Sequence, residues 1–237
     1  MIDGTLPGYW KSWQASFTVT NSTRAKPLVD VTPAGVVAAV TGETALPNGE
    51  TALRQRVLQG GCRVLDGMIA STDSAAKSLL IWNGTQLTKQ ADMGTASFAT
   101  TATITRSAGS FLTDGWKIGD SVMPFDATTD ANKGVMSVLL GVVAGTLTVN
   151  GTPFTTEAMP AGSRLCRVTR QTQKAVPANS GNADSTPAVS LLGGAQDPAL
   201  DTSGRSIGAN DMIIVSLVAA ASAVPAQIMV TANSGLY

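Results

Sequence analysis

Short apolar runs rich in β-branched residues alternate with turn signals along most of the chain, and long helical spacing of apolar positions is nearly absent. The pairs Asn48-Gly49, Asn83-Gly84 and Asn150-Gly151 predict chain reversals, because both residue types tolerate the positive φ of tight turns. Residues 50–57 fit a short helix and a strand equally well. The pattern predicts strands at residues 16–21, 28–31, 35–40, 57–70, 78–82, 102–107, 121–124, 136–143, 146–149, 164–170, 212–218 and 227–232. We therefore predict an all-β fold.

Two loose stretches, residues 92–101 and 172–187, are dominated by small and polar residues and resemble linkers. The segment after the second stretch is small for an independent core, so an inserted domain is favoured over a tandem order. The predicted parts are an N-terminal arm (1–15), a main jelly-roll-like β-sandwich (16–95 plus 185–237), a small inserted β-barrel or sandwich domain (96–172) and a linker (173–184).

Residues 212–230 are almost entirely apolar and approach the length of a bilayer-crossing helix. Pro225 interrupts this stretch, and no basic residues flank it. Two buried strands explain it better, so no membrane partner is expected. The first residues lack the basic start and apolar core of a signal peptide, which favours a soluble product made inside the cell.

The chain has no histidine and only 14% charged residues, so the usual side chains for proton transfer, nucleophile activation and metal binding are scarce. We therefore predict a protein that is not an enzyme and has no cofactor. Lys and Arg total 16 and Asp and Glu total 16, without a run of one sign, so nucleic acid is not an expected partner. Cys62 and Cys166 match no metal or redox spacing, which leaves buried thiols, a disulfide or a contact between subunits open.

Two motifs suggest chemistry. Residues 126–134 carry oxygen-bearing side chains at alternate positions, as in a calcium loop, but Ala131 and Ser137 replace the required glycine and acid. A solvated loop between strands is the preferred interpretation. Paired carboxylates could serve as acid and base in glycoside cleavage, but they lie in predicted turns, where Asp commonly bonds its own backbone. The candidate pairs are Asp114 with Asp120 and Asp197 with Asp201.

Near the N-terminus, Tyr9, Trp10 and Trp13 lie close together beside Lys11, although aromatic residues make up only 5% of the chain. An arm with aromatic anchors would bury a large area against a neighbouring protein, as interface hot spots do. A terminal strand that folds back on its own domain explains the same residues equally well.

Residues 107–120, with the sequence SAGSFLTDGWKIGD, and residues 147–156, LTVNGTPFTT, are together similar to small β domains of tail-tube and other virion proteins of tailed bacteriophages. In this segment Phe111, Trp116 and Ile118 offer apolar anchors, while Gly115 and Gly119 permit tight bends. Residues 56–81, 187–192 and 228–237 resemble the β-sandwich of phage head-decoration proteins.

The resemblance implies a homo-oligomeric virion protein present in many copies, assembled in the bacterial host cytoplasm and bound to the major capsid protein or other virion proteins. The additional sequence before residue 95 and after residue 175 favours a capsid decoration or cement protein over a tail tube, neck or fibre-adaptor protein. The expected partner contacts are Tyr9, Trp10 and Trp13, with Trp116 as a weaker candidate. A carbohydrate-binding β module, or a polysaccharide hydrolase, is an alternative of a different class, and the low aromatic count disfavours it.

Overall fold

The computed structural model describes residues 13–19, 26–30, 44–46, 50–52, 62–125, 127, 132, 134–182, 185–191, 205–208, 210–218 and 228–236. Within these residues the regular structure is almost entirely β, with one 3-10 turn at Gln90–Asp92. The strands are β1 Trp13–Val19, β2 Lys26–Asp30, β3 Thr44–Leu46, β4 Glu50–Ala52, β5 Cys62–Ser71, β6 Lys77–Lys89, β7 Ala96–Ala99, β8 Thr103–Arg106, β9 Ser121–Phe125, β10 Ser137–Val143, β11 Thr146–Val149, β12 Glu157–Ala158, β13 Arg164–Val176, β14 Val189–Ser190, β15 Arg205–Ile207, β16 Asp211–Leu217 and β17 Ile228–Leu236. The predicted all-β, sandwich-like fold is confirmed.

The chain divides into two compact units. Unit 1 comprises Met1–Trp82 and Gln171–Tyr237, and unit 2 comprises Asn83–Arg170. The boundaries fall inside β6 and β13, whereas the sequence placed them at residues 95 and 173. Both strands run through the boundary without a break, so the expected loop composition misled the prediction.

Local composition also misled two predicted linkers. Residues 92–101 contain β7, and the predicted linker 173–184 begins with the last residues of β13, where Val176 is buried. Small and polar residues in these segments complete strands because their neighbours in the sheet supply the hydrogen bonds. The predicted turn at Asn83-Gly84 is likewise wrong, since β6 continues through it and Gly84 is buried in the strand.

Unit 1 contains a sheet with the strand order β14-β5-β17-β1-β4-β3, and β15 also pairs with β5. Its centre is the long antiparallel pair of β5 and β17, in which Ile228 faces Ser71 and Leu236 faces Cys62. β1 pairs with the other edge of β17. The predicted strand at residues 35–40 and most of the 50–57 segment lie outside the described residues, while Glu50–Ala52 is a strand.

β16 also belongs to unit 1 and pairs with β2. All six residues from Met212 to Leu217 are buried, so both faces of this strand are covered. Its one buried hydroxyl, on Ser216, accepts a hydrogen bond of 2.9 Å from the Trp82 indole nitrogen. The predicted strands at 212–218 and 227–232 correspond to β16 and β17. Among the described residues, no helix has the length and apolar character needed to cross a membrane.

In unit 2 the strand order is β12-β7-β8-β11-β10-β9-β13. Cys166, on β13, is buried, and nothing is described of the Cys62 side chain, so the three alternatives for these cysteines stay open. The rings of Phe98 and Phe154 pack with their centroids 5.1 Å apart. The core consists of Met93, Ala96, Phe98, Ile104, Phe111, Trp116, Val122, Ala127, Leu139, Leu147, Val149, Phe154, Met159 and Leu165. One core thus joins the strands to the 107–120 segment.

Candidate interaction surface

A buried charge holds the 107–120 segment, which we call the 107–120 loop. The Arg106 side chain is 1% exposed at the end of β8. Its Nε donates to the Ala108 carbonyl at 2.5 Å, its Nη2 to the Asp92 carbonyl at 2.7 Å and its Nη1 to Asp114 Oδ2 at 2.5 Å. The guanidinium carbon lies 4.8 Å from the centre of the Phe111 ring. Arg106 therefore fixes the path of the loop through several bonds at once.

Asp114 and Trp116 complete this network. The Thr88 hydroxyl donates to Asp114 Oδ2 at 2.6 Å, and the Trp116 indole nitrogen donates to Thr88 Oγ1 at 2.9 Å. Trp116 is 2% exposed and belongs to the core. The expectation that Trp116 contacts a partner is corrected accordingly, because its ring and its N–H are already used inside unit 2.

Asp120, the second member of the suggested acid–base pair, has a structural role of its own. Its Oδ2 accepts the backbone N–H of Lys117 at 2.9 Å and lies 4.0 Å from the Arg167 guanidinium. Asp114 is bound to Arg106 and Thr88. Asp120 thus bonds the backbone of its own turn, as the alternative interpretation expected, whereas Asp114 accepts hydrogen bonds from the side chains of two residues outside its turn.

The calcium-loop pattern is anchored by Asn132, which is buried. Its Nδ2 donates to the Thr155 carbonyl at 2.9 Å and to Glu157 Oε2 at 2.7 Å, and its Oδ1 accepts the Thr155 N–H at 2.8 Å. Because this amide ties the segment to Thr155 and to the start of β12, the interpretation as a solvated loop needs correction at this residue. In the part of the chain that the structure describes, no cluster of three potential metal ligands occurs.

Several predicted site residues cannot be placed. Tyr9, Trp10, Asp197 and Asp201 lie outside the described residues, and Trp13 is described only as the first residue of β1. The part of the arm that includes Trp13 is therefore a strand, paired with β17. The alternative of a terminal strand folded back on its own domain applies to Trp13 onwards.

Backbone hydrogen bonds fasten the 107–120 loop to β10. The Phe111 N–H donates to the Ala144 carbonyl at 2.9 Å, just after β10, and the Gly119 N–H donates to the Leu139 carbonyl at 2.9 Å. The Leu139 N–H in turn donates to the Asp120 carbonyl at 2.8 Å. The first part of the loop therefore lies beside the end of β10, and the last residues of the loop lie beside Leu139 in the middle of that strand.

Four large apolar side chains are exposed along this contact, and we call them the apolar rim. They are Leu112 and Ile118 of the loop and Leu140 and Val143 of β10. Ile118 is 70% exposed, Val143 59% and Leu140 57%. Leu140 is exposed because the pairing register with β11 shifts between Leu139 and Gly141, which leaves it as the extra residue of a bulge. Apolar groups gathered in this way are typical of contact sites.

Next to the rim, the face of β12, β7, β8, β11 and the end of β10 that points away from the core carries no charged side chain, and we call it the neutral face. The inner row across the strands is Phe98, Ile104, Leu147 and Val142, which pack on the core. The outer positions form two cross-strand rows, which are Ala158, Ser97, Thr105, Thr146 and Val143 in the first and Ala99, Thr103, Thr148 and Gly141 in the second. Alternation along each strand separates the two faces.

Hydroxyl groups dominate the neutral face. Ser97 Oγ and Thr105 Oγ1 lie 2.9 Å apart and share a hydrogen bond across β7 and β8. The sequence contained the signal for this face, since Thr-Ile-Thr at 103–105 and Thr-Leu-Thr at 146–148 place hydroxyls on one side of adjacent strands. By itself, this alternation in the sequence predicts strands and does not show that their hydroxyls form one surface.

Comparison with protein-family models, with curated proteins and with solved structures finds no match for this chain.

Proposed function

We propose that the protein is a non-enzymatic structural component of a tailed-bacteriophage virion, and specifically a capsid decoration or cement protein. The observation that carries the proposal is the construction of the 107–120 loop. Its charged and aromatic groups, Arg106, Asp114, Phe111 and Trp116, are joined to one another inside the core, while Leu112 and Ile118 face outward. Such a loop supplies a fixed shape and an adhesive surface, which a structural subunit needs.

A cement protein stabilises a capsid because it binds the assembled lattice and has no comparable affinity for separated subunits. Large aromatic side chains are efficient anchors for such a contact, since each buries much apolar area. Tyr9 and Trp10 are the proposed contacts with the major capsid protein, since Trp13 belongs to β1 and pairs with β17. The two compact units provide the body that carries this arm.

The test is a truncation of the arm. Because β1 begins at Trp13, the deletion covers residues 1–12 and leaves the strand complete. We expect occupancy on purified particles to fall at least tenfold, with unchanged circular dichroism. A second variant, Tyr9→Ala with Trp10→Ala, tests the aromatic rings alone. Val218→Ser, at an exposed apolar position of unit 1, is the control and should keep wild-type occupancy. Full occupancy of the truncated protein contradicts the proposed contact.

The same preparation distinguishes other positions in the virion. A tail-tube subunit forms rings or polymers by itself, whereas a cement subunit remains small until capsid is added. A carbohydrate-binding module has less support, because sugar sites usually use exposed aromatic rings. The aromatic side chains whose burial the structure describes are all buried: Trp82, Phe98, Phe111, Trp116, Phe125 and Phe154. Binding to a glycan array would reverse this preference.

A further inference from the structure

We propose that the neutral face and the apolar rim of unit 2 form a contact with a second copy of the same chain. The inference rests on the proposed function, in which many copies are held next to one another. It adds a partner to that function, because the arm is assigned to the capsid protein and this surface to a neighbouring copy.

The chemistry of the surface fits a copy of itself. Threonine and serine hydroxyls both donate and accept hydrogen bonds, so two hydroxyl rows can pair with each other. The exposed Leu140 and Val143 can pack against equivalent apolar groups. A partner with strong charge would gain nothing from a face that has no charge to oppose it. Depletion of charged residues is also the compositional mark of an interface core.

The charge of the whole chain permits the same contact. With 16 basic and 16 acidic residues, the formal net charge is zero, so copies do not repel one another at long range. A protein whose copies must stay apart usually carries a net charge. Net charge therefore does not oppose close packing between copies.

The size of the surface predicts how strong the contact is. Five strands about 4.8 Å apart, each contributing about 10 Å of length, give a footprint on the order of 250 Å². A stable, specific interface buries about 800 Å² on each partner. A single pair of copies should therefore associate weakly in solution. Many copies held on one particle raise the effective concentration and make the same contact persistent.

The experiment uses the full chain without any other virion protein. Sedimentation velocity over about 10 μM to 1 mM should show concentration-dependent association, the range expected for a small contact. Val143→Glu should weaken this association at least tenfold. Val218→Glu is the matched control, since Val218 is also an exposed valine, at 54% against 59%, but belongs to unit 1. It should associate like the wild type.

The outcomes separate this inference from the proposed function. Wild-type protein that stays monomeric at 1 mM, or Val143→Glu protein that associates like the wild type, overturns the contact between copies. Equal loss in both glutamate variants overturns it as well, because the effect would not be specific to unit 2. Failure of the proposed function appears elsewhere, as arm-deleted protein that still binds particles. Unchanged melting temperatures of the two variants show that both remain folded.

Discussion

β16 of unit 1 and β11 of unit 2 are both short antiparallel strands, but they meet their surroundings differently. From Met212 to Leu217 every residue of β16 is buried, so both of its faces are interior. In β11, Leu147 and Val149 are buried and Thr148 is exposed. A continuous apolar run therefore indicates a strand that is buried on both faces, whereas alternation indicates a strand with one face exposed to solvent.

The difference extends to how polar groups are used. In β16 the buried Ser216 has a single neutral partner, the Trp82 indole. At the edge of unit 2 a buried arginine pairs with a carboxylate that is 20% exposed, and the pair holds a loop in place. Unit 2 thus combines an open face with a rigid edge, which is the combination expected of a surface that makes contacts.

Aspartate substitutions at adjacent positions give the largest effect and test the two faces directly. Ile213→Asp and Ile214→Asp should each destabilise unit 1 to the point of unfolding, because a buried carboxyl group without a partner costs several kcal/mol even after it takes up a proton, which is comparable to the stability of a domain. In unit 2, Leu147→Asp should do the same, while Thr148→Asp should shift stability by less than about 0.5 kcal/mol. Hydrogen exchange measured by mass spectrometry, peptide by peptide, reports each unit. Tolerance of either β16 substitution would contradict the two-sided burial.

Removal of Asp114 comes next in size. Asp114→Ala leaves Arg106 buried without its carboxylate, and we expect a loss of about 3 kcal/mol of unfolding free energy. Asp120→Ala is the control, since it loses a backbone hydrogen bond in an exposed turn and should cost about 1 kcal/mol. Urea denaturation of both variants measures the difference. Equal losses would mean that the Arg106 network does not stabilise the edge of unit 2.

The strands were largely predictable because alternation and β-branched runs record local burial. Residues 121–124, 146–149 and 212–218 were predicted within one residue of β9, β11 and β16. The short strands β7 and β12 were missed, since their small and polar residues become strands only through pairing, β12 with β7 and β7 with β8. Their sequences carry no periodic signal of their own.

The candidate surface was less predictable than the strands. The Trp116 N–H bonds to Thr88, which is distant in the sequence and is itself bonded to Asp114. No sequence motif links these three residues. The sequence showed only that Trp116 and Ile118 are both apolar, so it did not distinguish the buried Trp116 from the exposed Ile118. Only the folded loop separates one from the other. The positive φ angles of Gly115 and Gly119, +92° and +91°, do confirm the predicted bends.

Two glycines of the 107–120 loop give the smallest and most selective test. Gly109 and Gly115 both have positive φ, at +71° and +92°. A Cβ at Gly109 would collide with the Arg106 guanidinium and lie 2.9 Å from the Asp92 carbonyl, whereas a Cβ at Gly115 meets nothing within 4 Å. Gly115→Ala should therefore cost only the backbone strain, about 1 kcal/mol, and Gly109→Ala about 2 kcal/mol.

The two alanine variants are compared by urea denaturation, and a double variant adds the decisive step. In an Asp114→Ala background Arg106 has lost one of its bonds and is able to move aside, so Gly109→Ala should cost less there than in the wild type. The cost of Gly115→Ala should stay the same in both backgrounds, because that glycine does not contact Arg106. Additive effects at Gly109 would show that the arginine is not what confines this loop.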